Sequence, residues 1–294
     1  MKQLFFTTMV VFFLVSCGGE NNNKNAANKT ETPQEKQLNI SILLDLSDRI
    51  NPDINPDAQK NDIGNIENIT KFFRASMKHL GASNAKGKIR LFFIPPPPNS
   101  EINSIVSKLN IDCSEDINKK EIYDSLTVYY EQNLKKIYAQ TIATSTWQDG
   151  SDIWGFFKDG VHRCIEKDTN YRNILIIFTN GYLWANGRTD DKLTNTTSIQ
   201  PKYLTKWHGK NSDNWNKEKE DTKIQSTRND LQDLEILVIG IKADNPKEKI
   251  DEDILIYLWG KWFNEMGVKD NYKILVSDLP STLEIDIKNF LNSK

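Results

Sequence analysis

Asp45 and Ser47, an acid and a hydroxyl two residues apart, directly follow the apolar run 40–44. In an extended segment such neighbours point to the same side, so a carboxylate and a hydroxyl converge where a buried strand ends. Oxygen donors of this kind suit a hard cation such as Mg2+. The carboxyl ends of strands are also where open α/β sheets bind their ligands. Two further segments carry similar groups. Gly150-Ser151-Asp152 opens a helical pattern with capping residues, and Thr179-Asn180-Gly181 closes the apolar run 174–178.

In this order the three segments resemble the metal-ion-dependent adhesion site of the von Willebrand factor A domain. That site is built from Asp-x-Ser-x-Ser, a distant Thr or Ser after Gly, and Thr-Asp-Gly. The resemblance spans roughly residues 38–291, with two departures: Arg49 stands where the family has its second Ser, and Asn180 where it has its acid. It implies Asp45, Ser47 and Ser151 as the retained ligands of a degenerate metal site. Asp48, Arg49, Asp152, Asn180 and Trp184, on the same loops, are read as groups facing a partner, Trp184 because Trp is enriched at binding hot spots. The expected role is binding, not catalysis, with Mg2+ as the candidate ion.

A cation about 4 Å from a metal costs on the order of 4 kcal/mol per charge product at an effective dielectric of 20. Arg49 must therefore turn away or take the metal's place. It either pairs with Asp45 and offers a guanidinium to a partner carboxylate, or simply ties down its loop. Asp45 at the end of a first strand also admits an alternative, a metal-dependent phosphoryl-transfer hydrolase. Against it, position 47 is Ser instead of a second acid, and the sequence contains no Gly-x-Ser-x-Gly, His-Glu-x-x-His or phosphate-binding glycine loop. The acid run Asp251-Glu252-Asp253 is read as compensation of a helix dipole.

Four continuous apolar runs, 40–44, 89–94, 174–178 and 236–241, read as parallel strands covered on both faces. Residues 272–276 form a fifth strand nearer an edge, and residues 107–113 return as a short antiparallel edge strand. Helical spacing appears at Ile66, Ile69, Phe73, Met77 and Leu80, at Ile153, Phe157, Val161 and Cys164, at Ile254, Leu258, Trp262 and Met266, and at Leu283, Ile287 and Leu291. The expected architecture is a doubly wound, mostly parallel α/β sheet with helices on both faces. An insertion at about 182–234 leaves from the same rim as Asp45. Its Tyr203 and Trp207 read as a small core of its own, and Trp184 reads as exposed.

At the N-terminus, Lys2 and an apolar stretch over 4–15 precede Leu14-Val15-Ser16-Cys17. The stretch is too short for a comfortable membrane span and reads as a signal-peptide core. The tetrapeptide resembles the bacterial lipobox, implying cleavage before Cys17 and its lipidation. The expected organisation is a signal peptide over 1–16, a disordered tether over 17–37 and one domain over 38–294. Such a protein sits in the cell envelope, at the outer membrane, attached through its lipid only, with an envelope protein or glycan as partner. The 38 Lys and Arg are dispersed among 40 acids, so nothing argues for nucleic acid. Cys113 and Cys164 are left as a disulfide pair or as two separate buried thiols.

Overall fold

The computed structural model describes residues 35–95, 100–115, 117–145, 148, 150–188 and 193–293. Cys17, the segment before it and most of the tether lie outside them. The elements run β1 (Gln37–Asp45), α1 (Ala58–Leu80), β2 (Lys88–Ile94), α2 (Ser100–Leu109), β3 (Ile111–Asp112), α3 (Lys119–Thr144), β4 (Gly150–Ser151) and α4 (Ile153–Gly155). They continue with β5 (Tyr171–Phe178), β6 (Trp184–Ala185), α5 (Pro201–Leu204), α6 (Ser212–Glu218), β7 (Leu234–Ile241), α7 (Ile250–Glu265), β8 (Tyr272–Val276) and α8 (Pro280–Asn292).

The main sheet has the order β3-β2-β1-β5-β7-β8. Every pairing is parallel except that of β3 with β2, which makes this the doubly wound α/β class expected from the apolar runs. Alternate side chains of one strand feed two cores. Ile40, Ile42 and Leu44 pack with α1, α3 and α8, whereas Leu43, Leu175 and Ile177 pack with α7 and the segment after β6. Burial on both faces explains why these strands read as unbroken apolar runs. From β1 the chain winds outward to β2 and β3, then returns to the other side of β1 to lay down β5. The carboxyl ends of β1 and β5 therefore flank the point where the winding reverses, the place at which such sheets bind ligands.

Three expectations need correction. Residues 107–113 are not one strand: α2 runs to Leu109, with Ile102 and Leu109 fully buried, and β3 is only two residues long. The helix expected from Ile153 to Cys164 is composite, one α turn followed by a π turn over Phe156–Gly160 and a 3-10 turn over Val161–Cys164. Ile153, Phe157, Val161 and Cys164 still share the buried face, which is why their spacing imitates a regular helix. Asp251 does more than compensate a helix dipole, because it is buried and accepts from His208. Cys113 and Cys164 are free and buried, in the cores on opposite faces of the sheet. Burial pushes each thiol up to about 11, so both behave as small apolar residues with little thiolate at neutral pH.

Candidate functional site at the rim of the sheet

The Asp45 side chain is fully buried at the end of β1. Its Oδ1 accepts from the Ser47 backbone N–H at 2.9 Å, a tight turn that fixes the carboxylate at the strand end. Its Oδ2 accepts from the Thr179 hydroxyl at 2.8 Å. Thr179 is the first residue after β5, so this bond ties the first and third motif segments together across the switch point. Thr179 Oγ1 also accepts from the Gly181 N–H at 3.1 Å, which holds the turn that leads to Trp184.

Ser151 arrives by a different route. Residues Gly150 and Ser151 pair antiparallel with Ala185 and Trp184, forming a two-residue ladder that joins the segment before α4 to the segment after β5. Gly150 has φ of 76°, and a Cβ there would overlap the Trp184 carbonyl oxygen and indole ring. Only glycine permits this approach. Ser151 is 3 % exposed, and its hydroxyl has no hydrogen-bond partner among the described residues. A buried hydroxyl without a partner costs free energy, and its persistence at a rim suits a group that bonds to a ligand. Trp184 beside it is 38 % exposed, as expected from the sequence. Tyr182, Trp207 and Trp215 are buried instead; Trp207 and Trp215 meet edge to face at 4.8 Å and form a core for the insertion.

Arg49 resolves the choice left open by its sequence position. Its Nη2 donates to Asp62 Oδ2 at 2.6 Å, its Nη1 reaches Oδ1 at 3.4 Å, and its Nε donates to the Asp45 backbone oxygen at 2.8 Å. The approach to the Asp45 carboxylate is only 3.8 Å. The guanidinium is 6 % exposed, so it ties the β1–α1 connection to α1 and is not held out to a partner carboxylate. Burial opposes its charge, but Asp62 and then Asp45 outweigh that and hold its pKa above the ordinary value. Tyr138 on α3 donates to Asp62 Oδ2 at 2.7 Å, and burial next to Asp62 raises its phenol well above the usual range.

The remaining expected residues are spread along the rim. Asp152 caps α4 by accepting from the Gly155 N–H at 2.8 Å and pairs with Arg188 at 2.7 Å. Asn180 lies half-buried, with Oδ1 accepting from the Tyr182 N–H at 3.3 Å. Asp48 is exposed as a residue, but neighbouring groups partly desolvate its carboxyl, and this first, then the charges of Asp45 and Asp244, holds it above the usual range. Such an acid stabilises the fold when protonated and opposes it as pH rises through the raised pKa. Asp48→Asn is therefore expected to raise the melting temperature at pH 7. The gain should vanish at pH 3, below the ordinary carboxylate value of about 3.9. An equal gain at both pH values would rule out a charge effect.

Asp62 and Asp244 join the site although the sequence reading assigned them no role, and Thr179, named there only as part of the third motif segment, is the direct partner of Asp45. The signal for Asp62 was present: it stands four residues before Ile66 on the apolar stripe of α1, where an acid needs a buried cation.

The fold and rim define the class, a doubly wound α/β domain with a polar cluster at its switch point. No protein-family model matches the chain, and no curated protein matches it. Among solved structures it is similar to proximal thread matrix protein 1 from the mussel byssus, a structure with a zinc-occupied MIDAS motif. The identity is 10 % and the TM-score 0.39, over 87 % of this chain and 48 % of that one. It is also similar to the pilus adhesin SpaC from Lactobacillus rhamnosus GG in an open conformation. Here the identity is 13 % and the TM-score 0.37, over 88 % of this chain and 30 % of that one. The chain thus spans less than half the length of either structure, and the fold assignment rests on its own strand order.

Proposed function

We propose that this chain is a von Willebrand A-like lipoprotein of the bacterial cell envelope, lipidated at Cys17, whose switch-point rim binds a protein or glycan partner without catalysis. The observation that carries the reading is the Asp45–Thr179 hydrogen bond. It joins the first motif segment to the third, while the β4–β6 ladder brings the second beside the exposed Trp184. Trp is favoured where partners bind, because it offers a large rigid contact area. Hydrolysis through Asp45 is the weaker reading. Both carboxylate oxygens already accept hydrogen bonds and the group is fully buried, which stabilises a charge but does not present a nucleophile.

The residues present fit a hard cation in part. Asp45, Ser47 and Ser151 would hold it, and the unpartnered Ser151 hydroxyl and the turning of Arg49 onto Asp62 favour it. When bound it would supply an open coordination position to a partner's acid. Asn180 in place of an acid removes countercharge, and the site is degenerate on that account. Titrating Mg2+ during thermal unfolding tests this: the wild-type melting temperature stays constant, and Asn180→Asp acquires a rise. A ligand selective for the folded state adds about 2.7 kcal/mol at a hundred times its dissociation constant, which a melt resolves. A clear wild-type rise abolished by Asp45→Ala would contradict the degenerate site. Mass spectrometry of the mature N-terminus tests the anchor, and an unmodified Cys17 would contradict it.

A further inference from the structure

The main sheet ends in two edges, β3 and β8, and the chain treats them differently. At the first, β3 pairs with Lys88 and Ile89 of β2, and beyond it Asn110 Oδ1 accepts from the Leu91 N–H at 2.9 Å. At the second, β8 pairs only with β7. The Asn271 oxygen accepts from the Ile236 N–H at 2.9 Å, and the Ser277 N–H donates to the Ile241 oxygen at 2.8 Å. Alternate residues of a strand turn their backbone groups to opposite neighbours. The odd-numbered residues therefore face β7, and Tyr272, Ile274 and Val276 turn their N–H and C=O groups outward. Among the described residues no loop, helix or side chain takes these groups up.

Exposed edges are normally blunted by proline, by a bulge or by charge. β8 carries no proline, and its one charge, Lys273, is turned onto Asp286 of α8. On the other face, Ile256, Tyr257 and Gly260 of α7 line an open groove with Tyr272. Ile256, Tyr257, Tyr272 and Ile274 are only partly buried there. An open ladder with an apolar flank fits an added strand.

Two features favour β8 of a second copy as that strand. Antiparallel pairing about a two-fold axis at Ile274 sets every outward group opposite another. It places Tyr272 against Val276 of the second copy, an aromatic and β-branched pair of the kind that stabilises sheets. It also places Lys273 against Leu275, so no like charges meet within the strand. The second feature is spacing. α7 packs over β7 and β8, so its copy stands about two strand spacings away, roughly 10 Å. Helices pack at about 8–10 Å, and the two grooves then cover one another.

We propose that this chain forms a two-fold dimer through β8, which joins the two sheets into one. The strands run antiparallel across the axis, so the two switch-point rims point in opposite directions. The dimer does not depend on the rim-binding reading.

Sedimentation velocity of the full chain in detergent, corrected for bound detergent, gives a dimer for wild type. Val276→Pro removes an outward N–H that bonds to nothing in the monomer, at a residue 40 % exposed. Proline is accepted on an edge strand in that orientation, so the variant is a folded monomer. Ile274→Cys reads the register, because Cα atoms of such a pair stand about 5.5 Å apart, within reach of a disulfide. Mild oxidation in cells links two copies at position 274, and Ile285→Cys on α8 gives no link. Cys113 and Cys164 are buried and add no background. A monomeric wild type, whatever else position 274 links to, would overturn the dimer, as would a dimer that survives Val276→Pro. Should Val276→Pro fail to fold, absence of the Ile274→Cys link would overturn it alone.

Discussion

Arg49→Ser is expected to lower the melting temperature by on the order of 10 °C. The substitution leaves the Asp62 carboxylate, itself 6 % exposed, with the Tyr138 hydroxyl in place of a bidentate cation. Removing one partner of a buried ion pair costs about 3–5 kcal/mol, because the other charge stays behind uncompensated. In a domain of this size each kcal/mol shifts the midpoint by roughly 2–4 °C. Replacing both partners, Arg49→Met with Asp62→Leu, should recover most of the loss, since apolar groups of similar volume need no charge partner. A loss under about 1 kcal/mol for Arg49→Ser by denaturant titration would show that the pair is not buried as described. The same effect means that placing a serine at position 49, as in the motif the sequence resembles, is a poor test of metal binding. Asn180→Asp changes the site without stripping Asp62 of its partner.

Gly150→Val should cost roughly 2–5 kcal/mol and weaken partner binding together with stability. An L residue in the left-handed region pays about 1–2 kcal/mol, and overlap with a packed neighbour adds about 1–3. Here the neighbour is Trp184, both its carbonyl oxygen and its ring. Relief comes by opening the ladder that pairs Ser151 with Trp184, so the rim loses its geometry while the sheet beneath keeps both cores. Tryptophan fluorescence and a thermal melt report the two parts. An unchanged melt would mean that the ladder is not held as described.

The sheet was legible because burial on both faces leaves an unbroken apolar run, and runs such as 174–178 and 236–241 have no competing reading. The switch-point acid was legible for a related reason: a charge directly after such a run must lie at the strand end. What stayed hidden depends on contacts distant in sequence. Arg49 finds its partner 13 residues away on α1 and a third member, Tyr138, 76 residues from Asp62, and no local pattern encodes that choice. The two-residue strands β3, β4 and β6 are too short for any periodicity. The π and 3-10 turns after α4 keep the same residues buried as a regular helix would, so their spacing carries no warning. Asp251 was read from its position in a first turn, and its bond to His208, 43 residues earlier, overrode that.

The central claim is that a partner docks on the switch-point rim. Site-specific photo-crosslinking in cells tests it most directly, with p-benzoylphenylalanine placed at position 184 on the rim or, as a control, at position 285 on α8, where Ile285 is 68 % exposed. The account predicts a discrete crosslinked species from position 184 that is absent from position 285 and lost when Gly150→Val is added. The same species from both positions, or one from position 184 that survives Gly150→Val, would contradict it.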